Sequence, residues 1–524
     1  MDKLPIGVQD FKVLRTSEED YIYVDKSELL YNLVKGGRVY FLSRPRRFGK
    51  SLMISTLGYL FQGEKELFKG LWIEDKWNWD DRYPVIRVDF SEIKFESADE
   101  LQSKISDMLH NTADVYGVKL KSTSYEQKFK ELILILKQKH NQNVVILIDE
   151  YDKPMLDHII EKELAKQVRD VLRGFYSIIK ASDEHIKFVM LTGITRFSKV
   201  SIFSGLNNLE DITMVDEFST MLGYTQEELE HYFSEYIDAL VEKMKKSRED
   251  ILSEIKEWYN GYKFSEEGER VYNPFSTMLL LKQKKFESHW FETANPSFLM
   301  EIIKEKGFFM PDADGLVLSA EALGDFDVER LEIEPLLYQT GYLTIDEVSL
   351  SPRGILRYRL GMPNKEVQIA FNDTLIKYLT ETDPNTRMEL QDNMYLALEN
   401  ADKDAFEKEL RALFASLPYI SYVKNNIWLF EGYYTNIIFL YFKTLGVPVR
   451  VEEVTNRGRI DLALEFRNKI YIIEVKVGEG SALKQIKEKR YWEKYQTKGK
   501  EIILVGIEFN EEEKNITKVE WEKI

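Results

Sequence analysis

The chain contains two groups of residues whose types and spacing suit chemistry on phosphate groups. The first is a loop between a strand pattern and a helix pattern, and its residues are Arg44, Pro45, Arg46, Arg47, Phe48, Gly49, Lys50, Ser51 and Leu52. Backbone N–H groups at a helix start attract phosphate, a lysine reaches the terminal phosphates, and a serine hydroxyl can bind Mg²⁺. The usual spacing is G-x-x-x-x-G-K-[ST], and here Arg44 stands in place of the first glycine. The loop predicts a nucleoside triphosphate site, although Gly-Lys-Ser alone is common by chance.

Polar residues at the ends of two later strand patterns can complete this site. The apolar run 144–148 leads directly into Asp149 and Glu150. At the C-terminal edge of a parallel sheet, Asp149 can hold Mg²⁺ and Glu150 can polarise an attacking water. Thr192 ends the next run and can sense the terminal phosphate, and Arg196 can neutralise charge in the transition state. Taken alone, Arg196 fits a surface or structural arginine better.

The second group lies near the C-terminus. Asp461 enters one strand pattern, and Glu474 and Lys476 lie two residues apart on the next. Side chains at i and i+2 share one face of a strand, and a hairpin can bring Asp461 beside them. Two carboxylates bind Mg²⁺ or Mn²⁺, and the lysine can orient a water. Glu431 on the preceding helix pattern can join the metal shell, and Gln485 follows on a basic helix. Glu-x-Lys alone is a weak signal, but these charges interrupt strongly apolar strands.

The surrounding patterns predict an α/β domain at the N-terminus. Strands are expected at 39–43, 85–90, 144–149, 188–192 and 212–215, with helices near 51–62, 98–116, 124–140 and 162–181. The apolar runs do not alternate, which is typical of strands buried on both faces of a parallel sheet. The order of strands and motifs is that of P-loop ATPases with an extra strand between the two phosphate-site motifs.

The rest of the chain divides by a change of pattern. Thr225 and Glu228 predict a capping box, and helical patterns then dominate to about residue 415, with a winged-helix portion as one alternative. The last hundred residues read α-β-β-β-α-β: a helix at 430–445, strands at 449–454, 459–466 and 470–477, a basic helix at 481–496 and a strand at 501–508. We therefore expect three domains, at 1–225, 226–420 and 421–524.

Composition limits the partners and the compartment. A net charge of −17 disfavours nonspecific wrapping of nucleic acid, so a nuclease of this composition must concentrate its cations locally. One segment does so, and its cations are Lys484, Lys487, Lys489, Arg490, Lys494, Lys498 and Lys500. The absence of cysteine excludes disulfides and cysteine-ligated metals. No apolar run is long enough to span a bilayer and the start lacks a secretory signal, so a cytoplasmic protein without a membrane partner is expected.

The N-terminal motifs resemble the AAA-ATPase-like family of bacterial proteins over roughly the first 225 residues. The matching residues are Leu4-Pro5-Ile6-Gly7, Phe11, Tyr23-Val24-Asp25-Lys26, the loop from Arg44 to Ser51, Asp149-Glu150-Tyr151-Asp152, Thr192 to Phe197, and Asn207-Asn208-Leu209 with Asp211-Ile212. The resemblance implies that the missing first glycine is a family trait, and that ATP is bound with Mg²⁺. It also implies that Tyr23, Asp25 and Lys26 lie close to the nucleotide.

The C-terminal layout resembles the PD-(D/E)xK nuclease superfamily, specifically the domain commonly fused to that ATPase family. The matching residues are Glu431, Gly458-Arg459-Ile460-Asp461, Glu474-Val475-Lys476, Ala482 to Ile486 with Gln485, and Tyr491. The resemblance implies a restriction-endonuclease-like fold over about 420–510, with Asp461, Glu474 and Val475 as metal ligands. Ile460 replaces the proline of the superfamily name, and both carboxylates remain.

The leading hypothesis is an ATP-regulated, Mg²⁺- or Mn²⁺-dependent nuclease that acts on DNA, with RNA as the less favoured substrate. ATP would reposition the helical section and so control the C-terminal site. One alternative is a nucleotide-switched binding or signalling protein whose nuclease-like domain grips nucleic acid without cutting. Another is an ATPase whose C-terminal domain mediates assembly, for example into a homo-oligomer.

Overall fold

The fold is taken from a computed structural model, which describes most of the chain. The described residues are 2–17, 20–196, 202, 203, 206, 208–289, 299, 302, 316–324, 332–380, 383–416, 431–455, 458–478, 480–510 and 515–524. Phe197, Asn207 and the side chain of Arg459, which belong to the family resemblances, lie outside them. The chain forms two compact units, Met1–Leu299 with Gly315–Val367, and Met300–Asp314 with Gln368–Ile524.

The first unit contains a five-stranded sheet with the order β2-β3-β4-β1-β5. Its strands are β1 (Val39–Ser43), β2 (Val85–Asp89), β3 (Val144–Asp149), β4 (Ile186–Gly193) and β5 (Glu210–Asp211). Every neighbouring pair is parallel. β4 lies between β1 and β3, which confirms the predicted extra strand between the two motifs. The prediction of a strand at 212–215 is wrong: the pairing with β1 involves Glu210 and Asp211, and the chain turns after them.

Helices connect these strands and continue beyond them. They are α1 (Phe11–Thr16), α2 (Ser27–Gly36), α3 (Lys50–Gln62), α4 (Ala98–Val115), α5 (Tyr125–His140), α6 (Lys153–Leu156), α7 (Lys162–Ala181), α8 (Gln226–Tyr232), α9 (Ser234–Met244), α10 (Arg248–Tyr259) and α11 (Pro274–Gln283). The capping box at α8 is confirmed, because Thr225 and Glu228 bond reciprocally to each other's backbone N–H groups. Apolar residues of α8–α11 form one core with Val24 of the N-terminal segment.

A small antiparallel sheet completes the first unit, with the order β6-β8-β7. Its elements are β6 (Val317–Ser319), α12 (Ala320–Gly324), α13 (Ile333–Gln339), β7 (Thr344–Leu350) and β8 (Leu356–Gly361). Tyr358 and Leu360 of β8 are buried, whereas Arg357 and Arg359, which alternate with them, are exposed. The region beyond residue 225, which the sequence patterns describe as mainly helical, therefore also contains strands.

The second unit has a mixed five-stranded sheet with the order β13-β12-β11-β10-β9. Its elements follow α14 (Lys365–Thr380), and they are α15 (Pro384–Asn400), α16 (Lys403–Ala415), α17 (Glu431–Thr444), β9 (Val449–Thr455), β10 (Gly458–Phe466), β11 (Lys469–Val477), α18 (Ala482–Lys489), β12 (Glu501–Phe509) and β13 (Ile516–Lys523). The predicted order α-β-β-β-α-β is confirmed over 431–509, and β13 is an addition. Among the described residues, no helix combines the length and apolar character needed to cross a membrane.

Candidate active sites

The loop between β1 and α3 adopts a compact anion-loop conformation. Gly49 precedes α3 with φ +97°, in the left-handed region that glycine enters without strain. Lys50, the first residue of α3, is buried, and its Nζ donates to the carbonyl oxygens of Arg44 at 2.8 Å and Pro45 at 3.0 Å. Burial lowers the pKa of Lys50, although the charges of Glu150 and Asp149 act in the opposite direction. The lysine therefore bonds to the loop's own carbonyl groups, and a phosphate would have to replace them.

Two acidic residues follow β3 beside this loop. Asp149 is fully buried, and its Oδ1 accepts a 2.6 Å hydrogen bond from Thr192 Oγ1 on β4. Its Oδ2 is buried without a hydrogen-bond partner among the described residues. A buried carboxylate oxygen without a donor fits a bound divalent cation or its water ligand. Burial raises the pKa of Glu150, opposed by the charge of Lys50, so this carboxyl holds a proton more readily than an exposed one.

Asp152, which follows β3, holds the ends of β3 and β4 together. Its Oδ2 accepts from the backbone N–H groups of Ile194 at 3.0 Å and Thr195 at 2.6 Å, and from Thr195 Oγ1 at 2.6 Å. A Cβ atom on Gly193 would lie 2.5 Å from the ring of Tyr151, so this close approach requires glycine. Hydrogen bonds and close packing thus hold the segments 149–152 and 192–195 together at one edge of the sheet. Apart from the family resemblance, no pattern in the sequence indicated this role of Asp152.

A cavity of about 490 Å³ opens beside the loop. Ten of the predicted nucleotide-site residues line it, namely Tyr23, Lys26, Arg46, Arg47, Phe48, Gly49, Lys50, Ser51, Leu52 and Glu150. Other parts of the lining include residues 5, 7–9, 221–224, 274, 275 and 278, with apolar side chains such as Met221, Leu222 and Met278. Its volume is within the usual range for a small-molecule pocket. Sequence reasoning missed the segments 221–224 and 274–278, which are distant from the phosphate loop in the sequence.

Arg44 lies behind the loop, and its side chain does not line this cavity. It is 1% exposed, and its guanidinium donates to the carbonyl oxygens of Ser43 at 2.9 Å, Thr213 at 2.8 Å and Phe218 at 3.2 Å. The guanidinium carbon lies 4.2 Å from the ring centroid of Phe264. Burial lowers the pKa of Arg44 to about 10. Arg44 therefore anchors the loop to the framework through residues that do not line the cavity.

Five more predicted residues lie outside the cavity lining: Asp25, Pro45, Asp149, Thr192 and Arg196. The Arg196 guanidinium forms an ion pair with Asp211, and its backbone N–H donates to Gln339 Oε1 at 2.8 Å. Asp25 accepts backbone hydrogen bonds from Ser27 at 2.8 Å and Trp72 at 2.7 Å. Both side chains hold elements together in this structure.

The N-terminal segment is tied to the cavity by two residues of the predicted set. Lys26 Nζ donates to Glu228 Oε2 at 2.7 Å and to the carbonyl oxygen of Thr220 at 2.8 Å. The ring of Tyr23 packs edge-on against Phe11, with 5.3 Å between centroids. Because Glu228 is also the capping-box residue of α8, Lys26 links the N-terminal segment to the helical part of the unit.

The second site lies on the antiparallel pair β10 and β11. Asp461 Oδ2 accepts a 2.8 Å hydrogen bond from the backbone N–H of Val475, which fixes it beside β11. Glu474 is 1% exposed, and its Oε1 accepts a hydrogen bond from Gln485 Nε2. Its Oε2 is buried without a hydrogen-bond partner among the described residues. Lys476 Nζ donates to both carboxylate oxygens of Glu431, at 3.0 Å each.

Neighbouring charges and burial shift the pKa values of two residues of this site. Burial, together with the charge of Asp461, raises the pKa of Glu474 to about 8. Burial by itself lowers the pKa of Lys476, but the hydrogen bond and charge of Glu431 raise it above its ordinary value. The lysine is thus held as a cation, while Glu474 gains most from a positive charge placed beside Oε2.

The donor set fits a hard divalent cation held by few protein ligands. Two carboxylates, Asp461 and Glu474, meet at adjacent strands, and Mg²⁺ commonly uses one or two carboxylates with waters and substrate oxygens. Among the described residues there is no group of three or more His, Cys, Asp or Glu side chains that could hold a metal ion. The carboxylate of Glu431 is occupied by Lys476, so Glu431 positions the lysine in this structure.

The basic segment that follows Glu474 is largely neutralised by acids. Ion pairs join Lys484 to Glu488, Lys487 to Glu522, Arg490 to Glu493, and both Lys498 and Lys500 to Glu465. Such exposed pairs reduce the positive charge that the segment offers to phosphate groups. The local concentration of cations in the sequence therefore overstates the positive charge of this surface.

These two arrangements define the class of protein. The parallel sheet with its phosphate loop has the fold of a P-loop nucleoside triphosphatase, and the C-terminal mixed sheet has that of a nuclease-superfamily domain. The family described as "Predicted AAA-ATPase" matches residues 5–203, and the "PD-(D/E)XK nuclease superfamily" matches residues 429–519. An "Uncharacterized protein in vnfD 5'region" of Azotobacter chroococcum mcd 1 is 40% identical over 522 residues, with 98% of each chain covered.

The chain therefore belongs to the family of that Azotobacter protein, with an AAA-ATPase-like domain followed by a PD-(D/E)XK nuclease superfamily domain.

Proposed function

We propose that the chain hydrolyses ATP in the cavity beside residues 44–51 and cleaves phosphodiester bonds of DNA at Asp461 and Glu474. The observation that carries the nuclease proposal is the buried Oε2 of Glu474, which has no hydrogen-bond partner among the described residues. An acid in that environment is costly unless a cation binds it. Its neighbours Asp461 and Lys476 supply the second carboxylate and the cation that phosphodiester hydrolysis needs.

Each polar residue of the C-terminal site has a distinct part in this proposal. Bound Mg²⁺ or Mn²⁺ would lower the pKa of a water and stabilise negative charge on the phosphate. Asp461 and Glu474, with the backbone of Val475, hold the ion, and Gln485 fixes the Glu474 carboxylate through Oε1. Lys476 orients the attacking water, and Glu431 keeps its ammonium in place.

The roles at the nucleotide cavity follow from the same reasoning. Lys50 exchanges its two carbonyl acceptors for the β- and γ-phosphates of ATP, and Ser51 and Asp149 hold the Mg²⁺ that accompanies the nucleotide. Glu150, which lines the cavity and has a raised pKa, polarises the attacking water. The apolar residues contributed by 221–224 and 278 offer a surface for the base.

A cleavage assay on the full-length chain tests the nuclease proposal. Supercoiled and linear DNA, and an RNA of the same sequence, are incubated with Mg²⁺ or Mn²⁺, with and without ATP. We expect Asp461→Asn and Lys476→Ala to lose cleavage by at least about a hundredfold. Glu465→Gln is the matched control, because it removes an acid of β10 that, among the described residues, forms ion pairs with Lys498 and Lys500 and with no others.

Equal cleavage by wild type and both site variants would refute the nuclease proposal. DNA binding without cleavage under any divalent metal would favour the alternative, a nucleotide-switched protein with a catalytically silent nuclease-like domain. The ATP dependence of cleavage reports whether the nucleotide activates or restrains the C-terminal site. Faster cleavage of RNA than of DNA would correct the proposed substrate class.

A further inference from the structure

The hairpin formed by β7 and β8 has a tip that is organised by one serine. Ser351 is buried, and its Oγ accepts from the backbone N–H groups of Arg353 at 3.3 Å and Ile355 at 3.0 Å. Its backbone N–H donates to the carbonyl oxygen of Ile355, and its own carbonyl accepts from Gly354, at 2.8 Å each. Gly354 has φ +73°, which closes the turn. The loop is thus preorganised, and a ligand would not need to order it.

Three arginines are presented by this hairpin. Arg353 is exposed at the tip, and Arg357 and Arg359 are exposed on β8, where their i and i+2 positions place them on one face. The opposite face of β8 is buried through Tyr358 and Leu360. The row of arginines therefore consists of Arg357 and Arg359, at the spacing of alternate strand residues, about 6.6 Å, and of Arg353 in the turn that precedes β8.

Acidic residues neutralise only part of this row. Arg359 lies 3.6 Å from Glu347 on β7. Arg353 and Arg357 form no ion pair with any described residue, in contrast to the segment 484–500, where most cations are paired. In a chain with a net charge of −17, two exposed guanidinium groups without an acidic partner form a local positive surface.

Exposed apolar side chains flank the arginines. Leu350 is 67% exposed, Ile355 45% and Val317 52%, and all three lie on the hairpin or on the adjoining strand β6. Guanidinium groups bind phosphate oxygens in a bidentate way, and apolar side chains can contact sugars or bases between them. An arginine on a narrow, preorganised tip also fits a groove of duplex DNA.

We infer that this hairpin binds the sugar–phosphate backbone of duplex DNA and so gives the ATPase-containing unit its own nucleic-acid contact. The inference rests on the proposed function for the identity of the partner. It adds a contact in a different compact unit from the one that contains Asp461 and Glu474. Arg353 and Arg357 bind phosphates, while Arg359 stays with Glu347.

Binding of a fluorescent 30-base-pair duplex to the full-length chain, measured by anisotropy in EDTA over a range of salt, tests this inference. We expect Arg353→Gln with Arg357→Gln to weaken binding about tenfold or more at 0.1 M salt. The slope of log K against log salt should fall by about 1.8, because two phosphate contacts are lost. The control is Lys104→Gln with Lys130→Gln, which removes two exposed cations from α4 and α5 and should change neither quantity.

Three outcomes would overturn the inference: no duplex binding by wild type, equal binding by the hairpin variant, or an equal loss in the control. Competition by polyglutamate as effective as that by DNA of equal charge would also overturn it, because the surface would then accept any acidic polymer. Hairpin-dependent binding without cleavage would leave the inference standing and refute the nuclease proposal. Cleavage by wild type together with unaltered binding by the hairpin variant would refute this inference and leave the nuclease proposal standing. Because both arginines are exposed, their replacement should leave the melting temperature unchanged.

Discussion

The nucleotide cavity and the C-terminal site of Asp461, Glu474 and Lys476, here called the carboxylate site, differ in which segments supply their polar groups. The cavity collects residues from the N-terminal segment, the phosphate loop, the end of β3 and the region 221–278. The carboxylate site takes Asp461, Glu474 and Lys476 from two adjacent strands, with one helical residue on each side. A site on adjacent strands is specified by local register, whereas a site at the edge of a parallel sheet depends on how distant segments pack.

The two sites also differ in how their charges are satisfied. At the cavity, Lys50 is hydrogen-bonded to carbonyl groups of its own loop, and it lies near Glu150. At the carboxylate site, the pKa of Glu474 is raised to about 8 because burial and Asp461 disfavour its charge. The cavity must therefore exchange existing hydrogen bonds for those of a ligand, while the carboxylate site gains directly from an added positive charge.

The largest expected effect is on ATP hydrolysis, where Glu150→Gln should slow turnover about a thousandfold because a general base is lost. Nucleotide affinity, measured with a fluorescent ATP analogue, should change little, and cleavage of DNA without ATP should be retained. Glu161→Gln, which removes an exposed acid nearby, serves as the control. An ATP turnover rate in Glu150→Gln equal to that of wild type would show that Glu150 is not the general base.

Lys50→Ala should weaken ATP binding roughly a hundredfold, because charge-assisted hydrogen bonds to phosphate are lost. Lys153→Ala is a matched control, since Lys153 lines the same cavity but its ammonium pairs with Asp157. Isothermal titration calorimetry measures both variants. Similar affinities for the two would mean that the loop does not bind the terminal phosphates.

Arg44→Ala should lower the free energy of unfolding by about 2 kcal/mol, because buried carbonyl acceptors lose their donor. Arg46→Ala should cost less stability, since Arg46 is only partly buried and lines the cavity. Urea unfolding followed by circular dichroism compares the two. A larger stability loss in Arg46→Ala would reverse the distinction between the framework arginine and the cavity arginine.

The smallest expected effect concerns pH at the carboxylate site. A metal ligand must be deprotonated, so with a pKa of about 8 at Glu474, Mn²⁺ affinity should rise about tenfold between about pH 7 and about pH 9. Without metal the sign for stability is opposite: the unfolded chain ionises near 4.5 while the folded acid stays protonated, so stability falls as pH rises from about 4.5 to about 8. The melting temperature with Mn²⁺, compared with that without metal at each pH, measures the affinity, and the melting temperature without metal measures the stability.

Glu474→Gln is the comparison for the pH experiment, because the amide cannot titrate. Its melting temperature without metal should depend less on pH than that of wild type over the same interval. A pH-independent Mn²⁺ affinity in wild type would contradict the difference between the two sites. A strong pH dependence of ATP affinity at the nucleotide cavity over the same range would weaken that difference.

Much of the fold could be predicted from local patterns. The continuous apolar run 144–148 indicates a strand buried on both faces, and it forms all of β3 except Asp149. The residue types at Thr225 and Glu228 predict a capping box, which the structure contains. The short strand β5 was misplaced by two residues because a two-residue pairing has no periodicity to detect. The roles of the site residues stay predictions, although their placement is now defined.

The sequence by itself determined the main strands and helices around the phosphate loop and the α-β-β-β-α-β order near the C-terminus, and it predicted that Asp461, Glu474 and Lys476 meet, because these features depend on periodicity and on short-range strand geometry. Only the tertiary structure decided that Arg44 is buried in framework interactions, that Arg196 pairs with Asp211, that Glu431 holds Lys476, and that residues 221–224 and 274–278 complete the cavity. The physical reason is that a side chain's partner depends on packing between segments far apart in the chain, which residue types and spacing do not encode locally.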